Sequence, residues 1–411
     1  MRIAVWHNLP SGGGKRALHD HLRGLAARGH HIEVWCPSTA DRAFLPLGDF
    51  VPEHVMPLAW APSRPMGGLR HLIADYREFL SRIRAMDEHC RRCAAEIAAG
   101  DFDLLLAHPC RFFRVTSIAR YLTIPRILYL QEPYRWLYEA MPQLPWIAVT
   151  PPKRYRDSPS YWKRFISDLV MVQALRIQAR EEVANARAFD TILVNSLYSR
   201  ESLLRAYGLD AKLCYLGVDT ERFVSRDEPR EDFVVGIGAF VPEKNIPLVI
   251  EAVGRVPEPR PPLVWIGNVG SETYIRELCQ RACSLGVAFE PRLLLDDAEV
   301  IDLLNRARLM VYAPRLEPFG YAPLEASACE LPVIGVPEGG VRETIVDGVN
   351  GLLVEPAPEA LAEAIGRLRA DEAYARRLGR NGRHLVLERW SLPAAIDRLE
   401  ARLREAVYGS S

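Results

Sequence analysis

Glu317 and Glu325 stand eight positions apart in Glu317-Pro318-Phe319-Gly320-Tyr321-Ala322-Pro323-Leu324-Glu325, and the residues between them dictate the local course of the chain. Pro314 and Pro318 oppose regular structure, because proline lacks an N–H and restricts the residue before it. Gly320 admits backbone geometry that a side chain would forbid. Pro323 suits the first turn of a helix, and Leu324-Glu325-Ala326-Ser327-Ala328 reads as that helix. Glu317 is therefore expected in a loop over a helix N-terminus, with Glu325 in the first turn or just beyond it. The N–H groups at such an end attract an anion, and carboxylates beside them accept hydrogen bonds from hydroxyls. A ligand carrying both phosphates and sugar hydroxyls matches this chemistry. A glutamate near a helix start is also ordinary macrodipole stabilisation, so the spacing alone leaves both readings open.

The elements that must position these groups follow a βα rhythm. Ile3-Ala4-Val5-Trp6 is a strand, Ser11-Gly12-Gly13-Gly14 a glycine loop, Ala17 to Arg28 an amphipathic helix stopped by Gly29, and Ile32 to Cys36 the next strand. This βαβ unit predicts a parallel sheet. Further strands over 102–107 and 125–130 end at His108-Pro109 and Gln131-Glu132-Pro133. Ligands of open α/β sheets collect outside the carboxyl ends of strands, which puts His108 at a site rim. Thr191 to Ser196 and a helix from Ser199 to Tyr207 close the first half. Continuous apolar runs at 233–238, 263–267, 309–312 and 332–336 predict a second buried parallel sheet, with helices over 272–285, 297–306 and 390–407.

The wider stretch from Val311-Tyr312-Ala313-Pro314 through Cys329-Glu330-Leu331-Pro332-Val333-Ile334-Gly335 to Gly339-Gly340-Val341-Arg342-Glu343 resembles the nucleotide-binding signature of the retaining family 4 glycosyltransferases. That resemblance implies an α/β GT-B fold, with two Rossmann-like parallel-sheet domains facing across a cleft. Residues 1–215 would form the acceptor-side domain and 216–389 the nucleotide-sugar domain, the last helix, within 390–411, packing back on the first. It also implies a metal-independent, retaining transfer of a sugar from a nucleotide-sugar donor to an acceptor hydroxyl, without cofactor or metal. The acceptor would be a small molecule, a glycan or a lipid-linked sugar. In the roles so implied, Glu317 binds a hydroxyl of the donor sugar, Lys244 the diphosphate, and His108 approaches the transferred sugar. Glu325 takes the ribose, while the backbone of Phe319, Gly320 and Tyr321 and the glycines Gly13 and Gly14 face the donor. One departure stands out: Gly238-Ala239-Phe240 occupies the place of the family's Gly-Arg-Leu, so an arginine of the phosphate clamp is absent. Lys15, Arg16 and Arg315 are candidates to replace it. A non-catalytic sugar-nucleotide sensor and another GT-B enzyme, a phosphorylase or an epimerase, are the alternatives.

Residues 133 to 178 break the rhythm. Tyr134, Trp136, Tyr138, Trp146, Tyr155, Tyr161 and Trp162 are interleaved with Arg135, Lys153, Arg154, Arg156, Lys163 and Arg164. Prolines at 142, 145, 151, 152 and 159 argue for loops. Such a segment could stack sugars, engage an anionic acceptor, rest weakly on a membrane surface, or simply pack on the body. No long amphipathic run is evident before residue 165.

Composition sets the outer limits. Lys plus Arg equal Asp plus Glu at 52 each in 411 residues, so no net charge draws the chain to nucleic acid. No apolar run reaches the roughly 18–20 residues of a membrane span. The first residues read as a strand rather than a signal peptide, and eight dispersed cysteines favour reduced thiols. A cytoplasmic protein is expected, in peripheral contact at most with the inner membrane face. Cys90-Arg91-Arg92-Cys93 and the pair Cys279 and Cys283 lie at helical spacing without a second ligand pair, which makes a metal or redox role the lesser reading.

Overall fold

The computed structural model describes residues 1–60, 69–139, 144, 146–148, 150, 151, 154, 158–226 and 228–409. The chain divides into two compact units. Unit 1 comprises Met1–Val194, Arg200–Leu213 and Glu400–Ser411, and unit 2 comprises Asn195–Ser199 and Cys214–Leu399.

Up to residue 213 the elements run β1 (Arg2–Asn8), α1 (Gly13–Ala27), β2 (His31–Pro37), β3 (Glu53–Met56), α2 (Leu69–Ala99), β4 (Leu104–Cys110), β5 (Arg126–Tyr129), α3 (Arg135–Tyr138), α4 (Pro159–Ala186), β6 (Thr191–Val194), α5 (Leu197–Tyr207) and β7 (Lys212–Leu213). The seven strands form one parallel sheet in the order β3-β2-β1-β4-β5-β6-β7. Its central strand β4 is buried at every residue, as helices on both faces of a parallel sheet require.

Thereafter come β8 (Val234–Ile237), α6 (Ile246–Arg255), β9 (Leu263–Gly267), α7 (Glu272–Ser284), β10 (Phe289–Leu293), α8 (Asp297–Arg306), β11 (Leu309–Tyr312), α9 (Tyr321–Ala328), β12 (Val333–Gly335), α10 (Val341–Thr344), β13 (Gly351–Leu353), α11 (Pro358–Ala370), α12 (Glu372–Arg389) and α13 (Leu392–Tyr408). Six strands form the second parallel sheet, β10-β9-β8-β11-β12-β13. Its core includes Val234, Trp265, Leu309, Val311 and Ile334 with Val249, Val253 and Leu361 from the helices.

Four expectations need correction. Helix α1 starts at Gly13 rather than Ala17: Gly12 is the N-cap at φ 132, and Arg16 N–H already donates to Gly12 O at 3.0 Å. The glycines are therefore the first helical turn, not a separate loop. Strand β4 does not stop before His108-Pro109 but continues to Cys110, which pairs with Asn8. Past Ala107 it has no partner in β5, so the N–H that Pro109 lacks removes no ladder bond on that side. The segment 133–178 is not mainly loop. Pro159 occupies the first turn of the 28-residue helix α4, where proline is tolerated, and Ser158 caps it by accepting from Tyr161 N–H. Pro142, Pro145, Pro152, Lys153, Tyr155 and Arg156 lie outside the described residues. Finally, the single helix expected over 390–407 begins at Leu392, after α12 has ended at Arg389.

Candidate functional site

In unit 2, Lys244 Nζ lies 2.7 Å from Glu317 Oε2, with both side chains partly open to solvent. Lys244 ends a short 3₁₀ turn that leads through Asn245, left-handed at φ 54, into α6. Its aliphatic stem runs past Gly238, where a Cβ would sit 3.0 Å from the Lys244 Cγ and Cδ atoms. Glu317 stands in the loop between β11 and α9. The loop is held tightly from below: Gly340 N–H donates to Glu317 O at 2.7 Å, and a Cβ on Gly339 would meet the same oxygen at 2.1 Å. Gly339 and Gly340 are thus glycines because the Glu317-Pro318 backbone passes directly over them. Leu316 N–H donates to Glu338 Oε2 at 3.1 Å and Arg315 N–H to Glu243 O at 2.9 Å, which tie the first half of the loop to its neighbours.

Helix α9 starts on Gly320 at φ 91, and no side chain caps it. Its first N–H groups therefore lack an intrahelical acceptor. Phe319 is buried, with its ring edge-on to Tyr321 and Trp390, so only its backbone is available for binding. Tyr321 Oη donates to Gly217 O at 2.6 Å. Glu325 is the fifth residue of the helix and 8% exposed. Arg315 is exposed.

A residue whose place was not apparent from sequence organises the rear of this site. The Glu343 carboxylate accepts from Leu197 N–H at 2.9 Å, Tyr198 N–H at 3.0 Å and Tyr215 Oη at 2.8 Å. Burial and that carboxylate together push the Tyr215 phenol up. Ser196 Oγ donates to Pro318 O at 2.5 Å, tying the segment Asn195–Ser199 to the loop that carries Glu317. The only hint in sequence was a glutamate spaced after Gly339-Gly340.

Unit 1 holds the other expected residues. His108 is buried and stacks on Tyr129 with ring centroids 5.6 Å apart, and neither ring nitrogen has a hydrogen-bond partner among the described residues. Burial, and next to it the nearby His21 and Lys15, lower its pKa to about 3. Lys15 projects inward from α1, wholly buried and with Nζ unpartnered among the described residues, and burial lowers its pKa. Arg16 instead lies over the Phe44 ring at 5.7 Å. Gly14 approaches Gln131, whose Oε1 would be 3.0 Å from an added Cβ, while Gly13 faces open space.

His108 is therefore a neutral imidazole at physiological pH, able to donate one hydrogen bond and accept another. Because its folded pKa lies below the unfolded value of about 6.5, its neutral form favours folding above that pH. The contribution is lost as pH falls toward the folded value of about 3. NMR titration of the His108 ring should show no protonation above about pH 5, and His108→Phe should flatten the acid loss of stability. A midpoint near 6.5 would contradict this placement.

His7, Cys36 and Glu53 bring ligand atoms within 4.8 Å of one another. Arg42 Nε already pairs with Glu53 Oε2 at 2.9 Å, and burial pushes the Cys36 thiol up to about 12. Glu53 is thus engaged and the Cys36 thiol protonated, while His7 Nε2 is unpartnered among the described residues, and one open nitrogen is a poor fit to a cation. Cys90 and Cys93 lie buried on α2, their thiols likewise pushed up by burial, Cys90 to about 12.

Comparison with known proteins gives matches to both halves of the chain. The profile of Glycosyltransferase Family 4 matches residues 11–222, and that of Glycosyl transferases group 1 matches residues 218–385. A GDP-mannose-dependent alpha-(1-6)-phosphatidylinositol monomannoside mannosyltransferase of Mycolicibacterium smegmatis is 31% identical over 224 residues, covering 49% of this chain and 58% of the relative. The chain thus spans little more than half of that relative's length. A D-inositol 3-phosphate glycosyltransferase of Xylanimonas cellulosilytica is 25% identical over 385 residues, 88% of this chain and 84% of the relative. Among solved structures, Anabaena HepE in complex with UDP and glucose superposes with a TM-score of 0.68 at 18% identity, covering 98% of this chain and 99% of that one.

Proposed function

Since the chain belongs to Glycosyltransferase Family 4, with two parallel-sheet domains of the GT-B type, we propose that it moves a sugar from a nucleotide-sugar donor to an acceptor hydroxyl with retention and without a metal. The observation that carries this reading is the Lys244–Glu317 pair, held by the Gly339-Gly340 close approach beside the uncapped start of α9. A departing diphosphate needs preorganised positive charge, and Lys244 with the α9 amides supplies it. Glu317 takes a sugar hydroxyl and Glu325 the ribose. The bond from the sugar carbon to the diphosphate oxygen breaks as the acceptor oxygen bonds that carbon on the same face. The leaving phosphate oxygen accepts the acceptor's proton, so no separate protein base is required. His108 and the Gly13-Gly14 turn of unit 1 serve the transferred sugar, with His108 as a neutral hydrogen-bonding group.

Lys15 and Arg315 differ as replacements for the clamp arginine missing at Ala239. Arg315 is exposed at the end of the Glu317 loop, whereas Lys15 is buried within unit 1. Arg315 is the stronger candidate on exposure alone, and Arg16 is already occupied on Phe44.

A thermal-shift screen with UDP, GDP, ADP, TDP and their sugars tests the donor site. Stabilisation grows with ligand concentration over its Kd, so at about a hundred times Kd one nucleotide should add roughly 2.7 kcal/mol. Glu325→Ala should reduce that shift strongly. No shift with any nucleotide would sink the reading. Mass analysis of products with candidate acceptors separates the alternatives: binding without turnover indicates a sensor, phosphate-dependent sugar phosphate a phosphorylase, and acceptor-free isomerisation an epimerase.

A further inference from the structure

Helix α4 shows an inverted pattern of burial. Its C-terminal half packs on unit 1 through Gln178, Glu182, Asn185 and Ala186, which are buried. On the opposite side of the same helix, at positions i, i+3, i+4 and i+7, stand Trp162, Phe165, Ile166 and Leu169, exposed by 42, 42, 37 and 57%. A surface helix of a soluble domain normally turns its apolar stripe inward and its polar residues outward. Here the buried residues of the C-terminal half are mostly polar, and the N-terminal half, with no buried position, turns an apolar stripe to solvent. Farther along, the same outward side carries Gln173, Arg176 and Arg180, all exposed. At the tip, Tyr161, Trp162 and Phe165 form a ring cluster with adjacent centroids 5.7 Å apart.

Charge indicates the occupant. Between Pro159 and Arg176 the helix carries Lys163, Arg164 and Arg176 against the single acid Asp168, whereas Arg180 pairs with Glu181 at 2.8 Å. Lys163 and Arg164 are exposed, and no carboxylate among the described residues pairs with either. An apolar stripe flanked by uncompensated cations fits an anionic surface that is apolar just beneath. From Trp162 to Leu169 the stripe is about 10 Å long, two helical turns that can lie in the interface plane with the apolar side chains toward the acyl chains. A stable protein partner would need roughly 800 Å² on each side, more than four side chains on two helical turns provide. Tryptophan and tyrosine at the tip are the residues that favour a membrane–water interface.

We infer that the N-terminal half of α4 docks on the surface of an anionic phospholipid bilayer, inserting Trp162, Phe165, Ile166 and Leu169 among the lipids while Lys163 and, farther along the outward side, Arg176 contact phosphate headgroups. No helix among the described residues is long and apolar enough to cross a membrane, so the contact is interfacial. The inference rests on the transferase reading for one point only, that the acceptor is a lipid-linked hydroxyl presented at this surface.

Sedimentation of the full chain with phosphatidylcholine vesicles, with and without phosphatidylglycerol, tests it. Binding should require phosphatidylglycerol and weaken with added salt. The combined variant Trp162→Ser, Phe165→Ser, Ile166→Ser and Leu169→Ser should lower the vesicle-bound fraction by about tenfold or more, and Lys163→Glu with Arg176→Glu should remove the preference for anionic lipid. These positions are exposed, so both variants should keep the nucleotide thermal shift of the parent protein. Equal sedimentation of the serine variant and the parent would overturn the inference, as would no binding to either vesicle. So would light scattering that shows a dimer abolished by the serine substitutions, which would assign the stripe to a second copy of the chain. Absence of the nucleotide shift in the parent protein would instead defeat the transferase reading, whatever the vesicles show.

Discussion

Lys244→Ala is expected to lower turnover by about a hundredfold or more, the effect of removing one preorganised charge from a developing anion. The expectation is large here because Ala239 occupies the place of a clamp arginine. Two losses act together. In the proposed reaction the ammonium that would neutralise the leaving diphosphate disappears, and Glu317, now without its cation 2.7 Å away, presents an unbalanced carboxylate to an anionic ligand. A charge-assisted contact contributes roughly 1.5–3 kcal/mol. Calorimetry should therefore show donor affinity falling by about tenfold to a hundredfold alongside the loss of turnover. The double variant Lys244→Ala with Glu317→Gln separates the two terms: removing the stray charge should recover part of the affinity and little of the turnover. If Lys244→Ala keeps both donor affinity and turnover, the diphosphate is bound elsewhere.

Gly339→Ala should have a comparable effect on function without touching a charged group. The residue lies at φ 59, and its Cβ would stand 2.1 Å from Glu317 O and 2.7 Å from Glu317 N. Backbone on one side and a left-handed conformation on the other leave no inexpensive relaxation. The loop bearing Glu317 must move, which breaks the Gly340 N–H contact with Glu317 O. A destabilisation of roughly 3 kcal/mol is expected, several degrees in Tm for a domain of this size. Since the displaced loop includes the donor site, nucleotide-induced stabilisation should vanish even at temperatures where the variant is folded. A variant with the parent's Tm and nucleotide shift would show that this close approach does not shape the site.

Much of this architecture was legible in the sequence because it rests on strong periodicity. Helix α7 spans Glu272–Ser284, against the 272–285 its pattern predicts, and α8 spans Asp297–Arg306, with Asp296 and Glu299 forming a capping box. Buried parallel strands announce themselves as unbroken apolar runs, and the second sheet was found that way, the first from its βαβ rhythm. The turn and helix start between Glu317 and Glu325 were equally readable, since proline and glycine positions constrain the backbone whatever packs around them. What escaped was set by tertiary context. Strand β3, Glu53–Met56, is half polar, and β13 has three residues, too few to carry a period. The start of α4 was obscured by prolines upstream and by apolar residues on its outward side. The inward direction of Lys15 could not be read at all, since a lysine beside glycines normally points to water. Glu343 as an acceptor for two amides separated from it by more than a hundred residues lay beyond any local spacing.

That last arrangement bears on how the second half of the molecule could be isolated. A fragment beginning at residue 216 would retain Lys244, Glu317, Glu325 and both glycines, yet it would strip Glu343 of Leu197, Tyr198 and Tyr215, and Pro318 of Ser196. Its ligand-contacting groups would be complete and their scaffold would not. The second compact unit is thus discontinuous in sequence, and an exchange of halves between related enzymes would have to carry Asn195–Ser199 with the portion from Cys214 onward.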